Sequence, residues 1–560
     1  MSRQLVATFC HEVNSAIGNR DALKIRSILV LEPPFANPVY YELIEELRVE
    51  YPVDDDGSED RLEAVISAAV TETRGGDDEE GRPIQDWKSM VRFLAAWLTF
   101  IRDVDTSQLL KAYQAMSDVQ TKGNLALAHP IKGILVLPTL IGYAQIFARL
   151  AIALDKQPEL AQVALAHSKS DKNDKDKAES LAEKAANIVR PGFLTCLNDR
   201  NTVAGGIKDG RPDGKKIGVY KMANVCLKIL FQSNKLDNCS MIFKNIETAS
   251  PPLHFYPAGD RVTYLYYLGR YHFISNNFYQ AQMVLQQAYT DTPIHESFLK
   301  QRRLILLYLL VANLILGRFP SERVYARPEA VYFRDIFQPI TQAIRKGNLE
   351  AFQRMMNLDL SWEYAAKLCR WKVFYQIGNC CEIMVYRSLY RRVFLLAGKQ
   401  PGPMDRAPPS LDLNAVVIAA TFLEKRASAA PTKPQANGWS FSLQAPPTPP
   451  VYIDPDFEGM EGVVPYVHQF DIEEIEGLCA SLILEGLISG YISPKLKKLA
   501  ILGAKKAGSP VKAGFPNLWQ VLSTKKREQA GTDDVEGWVK TQQMGGGKVV
   551  RLASARPAGS

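Results

Sequence analysis

Apolar residues recur along most of this chain at three- and four-residue steps, the spacing of helices that bury one face. The pattern runs through residues 1–50, resumes in a short helix near 59–73 between acidic stretches (DDDGSED, then GGDDEEGR at 75–82), and holds from Trp87 to about 165. It lapses at SKSDKNDKDK, 168–177, which has too few apolar side chains to pack. It lapses again at a Gly-rich loop, AGGIKDGRPDGKK, 204–216. From 217 to 398 nearly every window is helical, with short polar turns. Residues 399–464 are rich in Pro, Gly, Ala and Ser around one helix-like piece at 411–426, and the sequence from about 528 is Gly- and Ala-rich. Two uncharged apolar runs, 133–148 and 304–317, are sixteen and fourteen residues long. A bilayer-spanning helix needs about twenty, so both are expected to be buried helices, with no membrane partner.

Within the helical stretch, Leu268-Gly269, His272, Ala281, Leu285, Ala288 and Pro293 fall on the spacing of a tetratricopeptide-type hairpin. In that motif small residues stand where two antiparallel helices cross, and Pro ends the second. Asn276-Asn277 supplies the turn, and Ser233-Asn234 and Gly347-Asn348 mark similar turns. Stacked hairpins form a platform for partners and not an enclosed catalytic pocket. Further on, Asp471 can cap a helix, with Glu474 three residues later. Ile472, Ile475, Leu478, Cys479, Leu482 and Ile483 then make one apolar stripe, closed by Gly486 and Gly490. Tyr491-Ile492 begins an extended piece, and a turn at Ser493-Pro494 leads into LKKLAIL. Helix, helix, hairpin is the winged-helix order, with the Pro-rich insert between the first two helices. The fold class read from the chain is all-α: stacked, TPR-like helical hairpins, then a module ending in a winged helix with a small β-hairpin.

The 560 residues are 46% apolar and 23% charged, a balance that supports a substantial core. The eight Cys form no CxxC pair and sit mostly inside apolar helical stretches, so they read as buried thiols of a reducing compartment. The N-terminus lacks a long apolar signal core. Net charge is +7, but nine of the 67 Lys and Arg lie between Lys495 and Arg527, a run with no Asp or Glu. Without them the chain would be slightly acidic, so the positive field belongs to one C-terminal segment.

Catalytic signals are poor. His11-Glu12 lacks the second His of a zinc helix, and Gly210 to Lys215 has the wrong spacing for a phosphate loop and no strand before it. That stretch reads as a surface loop. Cys380-Cys381 lie in an apolar helix with no His near them, and the seven His never pair at metal-ligand spacing. No cofactor, metal or catalytic residue is expected, and the chain reads as a non-enzyme. The basic run is different. Lys495, Lys497 and Lys498 flank the first wing strand, and Lys505, Lys506 and Lys512 are expected in or beside the wing loop. A charged hairpin edge also guards against strand pairing, but a stretch of 33 residues without acid exceeds that need. Such lysines neutralise phosphates without reading sequence. Glu473, Glu474, Glu476 and Glu485 on the preceding helix would repel a phosphate backbone, which argues against insertion of that helix into a major groove. A second candidate surface is Arg387, Arg391 and Arg392, where i,i+4 spacing places the first two on one face; an intramolecular structural role is the competing reading.

Three stretches resemble a known family: 260–316 (DRVTYLYYLGRYHFISNNFYQAQMVLQQAY, then RRLILLYLLVANLILG), 384–396 (MVYRSLYRRVFLL) and 471–502 (DIEEIEGLCASLILEGLISGYISPKLKKLAIL). They are similar to the PCI-domain subunits of the nuclear mRNA-export complex TREX-two, with a close paralogue in a signalosome-associated PCI protein. The insert at 399–464 and the tail depart from that pattern. The resemblance implies a helical region over 1–165 with an acidic loop at 53–83, TPR-like repeats over 178–340, and a PCI module over 335–515 containing the insert. A disordered tail is expected over 528–560. It implies a large PCI scaffold partner, a small acidic Dss/Sem-type subunit, and non-sequence-specific contact with RNA, and with DNA, through joined winged helices. The implied role is a non-catalytic scaffold that couples transcription to export in the nucleus, at the nuclear face of the pore. The alternative is a protein-interaction scaffold of the signalosome-type complex without nucleic-acid binding.

Because 168–177, 427–450 and 528–560 are too polar, Pro-rich or Gly-rich to build a core, limited proteolysis is expected to cut there first. Early cleavage inside 260–320, seen by mass spectrometry of the fragments, would refute the hairpin reading.

Overall fold

A computed structural model of the chain describes residues 5–31, 38–55, 57–75, 85–105, 107–157, 180–358, 362–399, 407–428, 455–457, 459–463, 470–531 and 533–539. These fall into two compact units, one within Met1–Tyr271 and Asp534–Ser560, the other within His272–Asp533.

In the first unit, four helices (Leu5–Gly18, Ala22–Ile28, Pro38–Glu50 and Ser58–Ala69) precede longer ones at Lys88–Asp103, Leu109–Leu127, Leu137–Asp155, Leu181–Leu197 and Val219–Gln232. The longer helices pack each on the next in chain order. Helix Lys88–Asp103 buries Met90, Phe93, Leu94, Trp97 and Ile101, and the Trp97 ring stacks on Phe9 at 5.2 Å. The polar stretch 168–177 lies outside the described residues, but the helices that flank it pack directly on one another, so the core continues across it. The continuous helical run Lys132–Asp155, 24 residues, is long and apolar enough by length and composition to cross a membrane. Here it is a core element: Leu140, Tyr143, Ala144, Phe147, Ala148 and Ala151 are buried, and the Tyr143 hydroxyl donates to the Leu29 carbonyl at 3.0 Å.

Two expectations are sharpened by the structure. The loop at 204–216 is a surface loop with residues 208–211 exposed, and it also holds a short hairpin, Ile207–Lys208 with Arg211–Pro212, and a buried Lys215 whose Nζ donates to the His129 carbonyl at 2.9 Å. The tail expected to be disordered over 528–560 is ordered in part. Residues 528–530 finish the helix Leu518–Ala530, and Gly537 and Trp538 lie against residues 253–261. The Leu253 N–H donates to the Gly537 carbonyl at 2.8 Å, and the Arg261 guanidinium stands 5.5 Å from the Trp538 ring centre. An aromatic ring buries area that Gly and Ala cannot, and a composition average over the tail hides that one residue. Residues 540–560 lie outside the described residues.

The three turns fall where the sequence placed them. Asn234 (φ 58), Asn276 (φ 61) and Gly347 (φ 61) each take the left-handed conformation that ends one helix and starts the next, which Asn and Gly adopt at least cost. Asn348 then accepts the Ala351 N–H at 3.2 Å and caps Leu349–Met355. In the second unit, Phe278–Asp291 packs on Leu299–Ile315, and Phe333–Lys346 on Phe374–Ala397. Most of the run 304–317 is buried, from Ile305 to Ala312 and at Leu314 and Ile315 in helix Leu299–Ile315, while Leu304 is exposed. Six of the eight Cys are buried and the other two, Cys369 and Cys380, half-buried.

One buried ion pair fixes this unit's hairpin stack. Arg302 and Glu329 are both nearly solvent-free, with Nε of Arg302 3.0 Å from the Glu329 carboxylate. Glu329 also accepts from the Tyr289 hydroxyl, Arg302 donates to the Thr292 carbonyl at 2.7 Å, and its guanidinium lies 4.2 Å from the Tyr289 ring centre. Burial by itself would raise the Glu329 carboxyl, but the hydrogen bonds from Tyr289 and Arg302 outweigh it and hold it below the usual carboxylate range. Arg302→Ala would strand a buried carboxylate and is expected to cost about 3–5 kcal/mol, read as a lower urea midpoint. The depressed Glu329 carboxyl stabilises the fold above its unfolded pKa of about 4.3, and this stability is lost as pH falls through the folded value.

Candidate nucleic-acid interface

The module at the end of the second unit is built from three helices and three strands. Helix Phe374–Ala397 comes first, then strand Ser410–Asp412, helix Leu413–Ser428, helix Ile472–Leu484, and the hairpin Gly490–Ser493 with Lys498–Ile501. The last strand is central: it pairs antiparallel with Ser410–Asp412 on one side (Leu411 opposite Leu499) and with the first hairpin strand on the other (Tyr491 opposite Ala500). This is a winged helix, but its parts differ from expectation. Residues 410–428 are not insert. Leu411, Leu413, Val416 and Ala420 are fully buried and bring a third strand and the middle helix into the core. The Pro-rich stretches therefore flank this middle helix on both sides, and 400–406, 429–454 and 464–469 lie outside the described residues. A three-residue strand inside Pro-rich sequence leaves no periodic signal, which is why the sequence concealed it.

Local chemistry sets the helix at the recognition position. Asp471 caps it, accepting the Glu474 N–H at 2.7 Å. Of the expected stripe, Ile475, Cys479 and Leu482 are buried, while Ile472, Leu478 and Ile483 are half-buried. The Tyr390 hydroxyl of the first helix reaches the Ile475 carbonyl at 2.5 Å and ties the two helices together. Gly347 stands against the same first helix so closely that a Cβ there would lie 2.3 Å from the Leu389 nitrogen.

The lysines divide into two groups. Lys495 and Lys497 are exposed on the wing turn, where Lys497 has a φ of 50, and Lys498 is half-buried at the start of the last strand, opposite Ser493. Lys505, Lys506 and Lys512 are also exposed, but not in the wing loop: they ride on two short helices after the sheet, Ala504–Ala507 and Pro510–Gly514. Gly514 holds the second of these against the wing, its carbonyl accepting the Ser489 N–H at 2.9 Å. The three later members of the basic run are on helix Leu518–Ala530, where two are neutralised locally: Lys525 pairs with Glu485 at 2.8 Å, and Arg527 with Asp533. Lys526 aside, the uncompensated part of the field is thus 495–512. Glu473 is exposed on the recognition-position helix, with Glu474 and Glu476 half-exposed beside it.

The arginine surface is corrected. Arg387 is buried, its Nη2 donating to the carbonyls of Phe515 (3.0 Å) and Pro516 (2.6 Å), so it is no part of an outward basic face with Arg391. Arg391 is exposed; Arg392 is exposed and donates to the Lys346 carbonyl at 3.3 Å. The i,i+4 spacing gave the shared face but not its covering by 515–516. Among the described residues no three His, Cys, Asp or Glu side chains cluster to hold a metal.

Helical hairpins that end in a winged helix fit the arrangement of PCI-domain proteins. Comparison with known proteins points the same way, although no family model matches the chain. It is 25% identical over 330 residues to PCI domain-containing protein 2 of Xenopus laevis, an alignment that takes in 59% of this chain. The chain spans 65% of that relative's length, just under two thirds. It is 19% identical over 484 residues to a PCI domain-containing protein of Schizosaccharomyces pombe, covering 86% of this chain and 90% of that one. A third relative, named Protein CSN12 homolog in Neurospora crassa, is 27% identical over 224 residues, 39% of this chain and 45% of its own. These likenesses support the PCI family for this chain.

Gly347→Ala is expected to loosen the module, since the left-handed backbone penalises a side chain by about 1–2 kcal/mol and the new Cβ must push the long helix away. A lower melting temperature, with Leu389 amide exchange accelerated, is the outcome to look for.

Proposed function

We propose that this chain is a non-catalytic scaffold of a nuclear mRNA-export complex, at the nuclear face of the pore, and supplies one half of a composite RNA-binding platform. One observation carries the reading: the uncompensated lysines of 495–512 gather on the wing turn and the two short helices packed beside it, while the recognition-position helix is acidic. A phosphate backbone is attracted to the first and repelled by the second, so the wing is the contact and sequence is not read. The other half comes from a large PCI scaffold partner, with a small acidic subunit held on the helical repeats. Exposed Leu484, Tyr491, Leu496 and Leu502 on the recognition-position helix and around the wing support a protein partner at this end. The second reading is a signalosome-type protein-interaction scaffold that binds no RNA; the relative named Protein CSN12 homolog is the one set beside it.

The test is replacement of Lys495, Lys497, Lys498, Lys505, Lys506 and Lys512 with Glu in the complex co-expressed with its PCI partner. Assembly is expected to persist, because lysine heads lie in water while Ile475, Cys479 and Leu482 hold the module. RNA affinity should fall, and its salt dependence should flatten by about three log units per log unit if four of the six touch phosphate. Unchanged affinity and slope would favour the second reading.

A further inference from the structure

Behind the wing, the buried Arg387 is a cation without a counter-charge. Its Nη2 is occupied by two backbone carbonyls, while its Nε is buried with no partner. No carboxylate pairs with it among the described residues, and its charged neighbour is another cation, Arg391. Burial first, and Arg391 second, lower its pKa to about 10, which leaves it charged at neutral pH. Buried charges are normally paired, because an isolated one forfeits its hydration for nothing.

Arg387 lines a cleft of about 440 Å³ together with Gly317, Phe319, Lys512, Asn517 and Leu518, and no Asp or Glu lines it. The 13-residue helix Leu518–Ala530 starts at this cleft. The Asn517 side chain caps it by accepting the Gln520 N–H at 3.2 Å, so the first-turn amides of Leu518 and Trp519 are left without helical acceptors. Those amides and the helix dipole favour an anion there. Gly317, at φ 82, closes one wall: a Cβ on it would come within 2.8 Å of Leu518. A guanidinium, an ammonium and a helix start thus line one acid-free cleft from three separate segments of chain.

We propose that this cleft is a phosphate-binding pocket, and that its phosphate is a backbone phosphodiester of the single strand the wing lysines contact. Two features favour a nucleic-acid strand over an acidic peptide. Lys512 belongs both to the cleft and to the basic run. The cleft is also larger than a bare phosphate, and the half-buried ring of Phe319 offers an apolar face to the attached sugar and base. The source of the phosphate rests on the wing reading; the anion chemistry of the cleft does not.

The test uses the full chain, inorganic phosphate followed by phosphorus NMR, and oligouridylate followed by fluorescence anisotropy. Saturable phosphate binding is expected in the natural chain, and about tenfold weaker binding in Lys512→Gln. Oligouridylate should displace the phosphate, and Lys512→Gln should flatten its salt slope by about 0.7. Arg387→Lys keeps the charge but loses the fork, so it should also weaken phosphate binding. Because it also removes a carbonyl clamp, Lys512→Gln, whose side chain is exposed, decides the matter if that variant does not fold. No saturable phosphate binding, or binding unaffected by Lys512→Gln, overturns the pocket. RNA binding without phosphate binding sinks the pocket alone. Phosphate binding without RNA binding sinks the wing reading and, with it, the strand as the source.

Discussion

The second unit depends on one helix that has no outward side in its middle. Seven consecutive residues of Phe374–Ala397, from Met384 to Tyr390, are buried, a full turn and most of another with neighbours all round. A helix in that position must satisfy every polar group it carries or give up their hydration. Ser388 returns its hydroxyl to the Met384 carbonyl at 2.9 Å, Tyr390 reaches the recognition-position helix, and Arg387 reaches the chain at 515–516. Tyr390 and Arg387 therefore also set where other segments lie. The close approach at Gly347 completes the cage, since any side chain there would meet the backbone of Leu389.

That arrangement separates structural cations from surface ones, although the sequence writes both as Arg or Lys. Arg302, Lys215 and Arg387 are buried and bond to carbonyls or a carboxylate, and Lys525 and Arg527 are matched by acids. What remains unbalanced on this part of the surface is the wing turn and the two short helices after it. On the proposed reading, that field meets the phosphates of an RNA strand and the flanking exposed leucines meet a second protein.

Much of the fold was legible in the sequence for simple reasons. Long amphipathic helices repeat their apolar residues often enough to average out local exceptions. The left-handed turns at Asn234, Asn276 and Gly347 were visible because few residue types tolerate that backbone. The Asp471 cap was visible because its chemistry is local, three residues long. The helix, helix, hairpin order gave the winged-helix module, though not its inventory. The strand Ser410–Asp412 was hidden, because a short strand has too few residues to show a period, and its pairing partner lies almost ninety residues away. Trp538 was hidden because the tail was read by its average Gly and Ala content.

The sequence by itself determined the helical class, the positions of the turns and caps, and the location of the acid-free basic run. Each is a property of neighbouring residues, fixed by backbone geometry or by charge count. Tertiary structure alone decided which of those cations face water. Arg387 and Arg391 share a helix face, yet one is buried beneath Phe515 and Pro516 and the other is exposed, because a segment 128 residues further on covers only the first. Burial is set by what packs against a residue from elsewhere in the chain, and no local pattern carries that information.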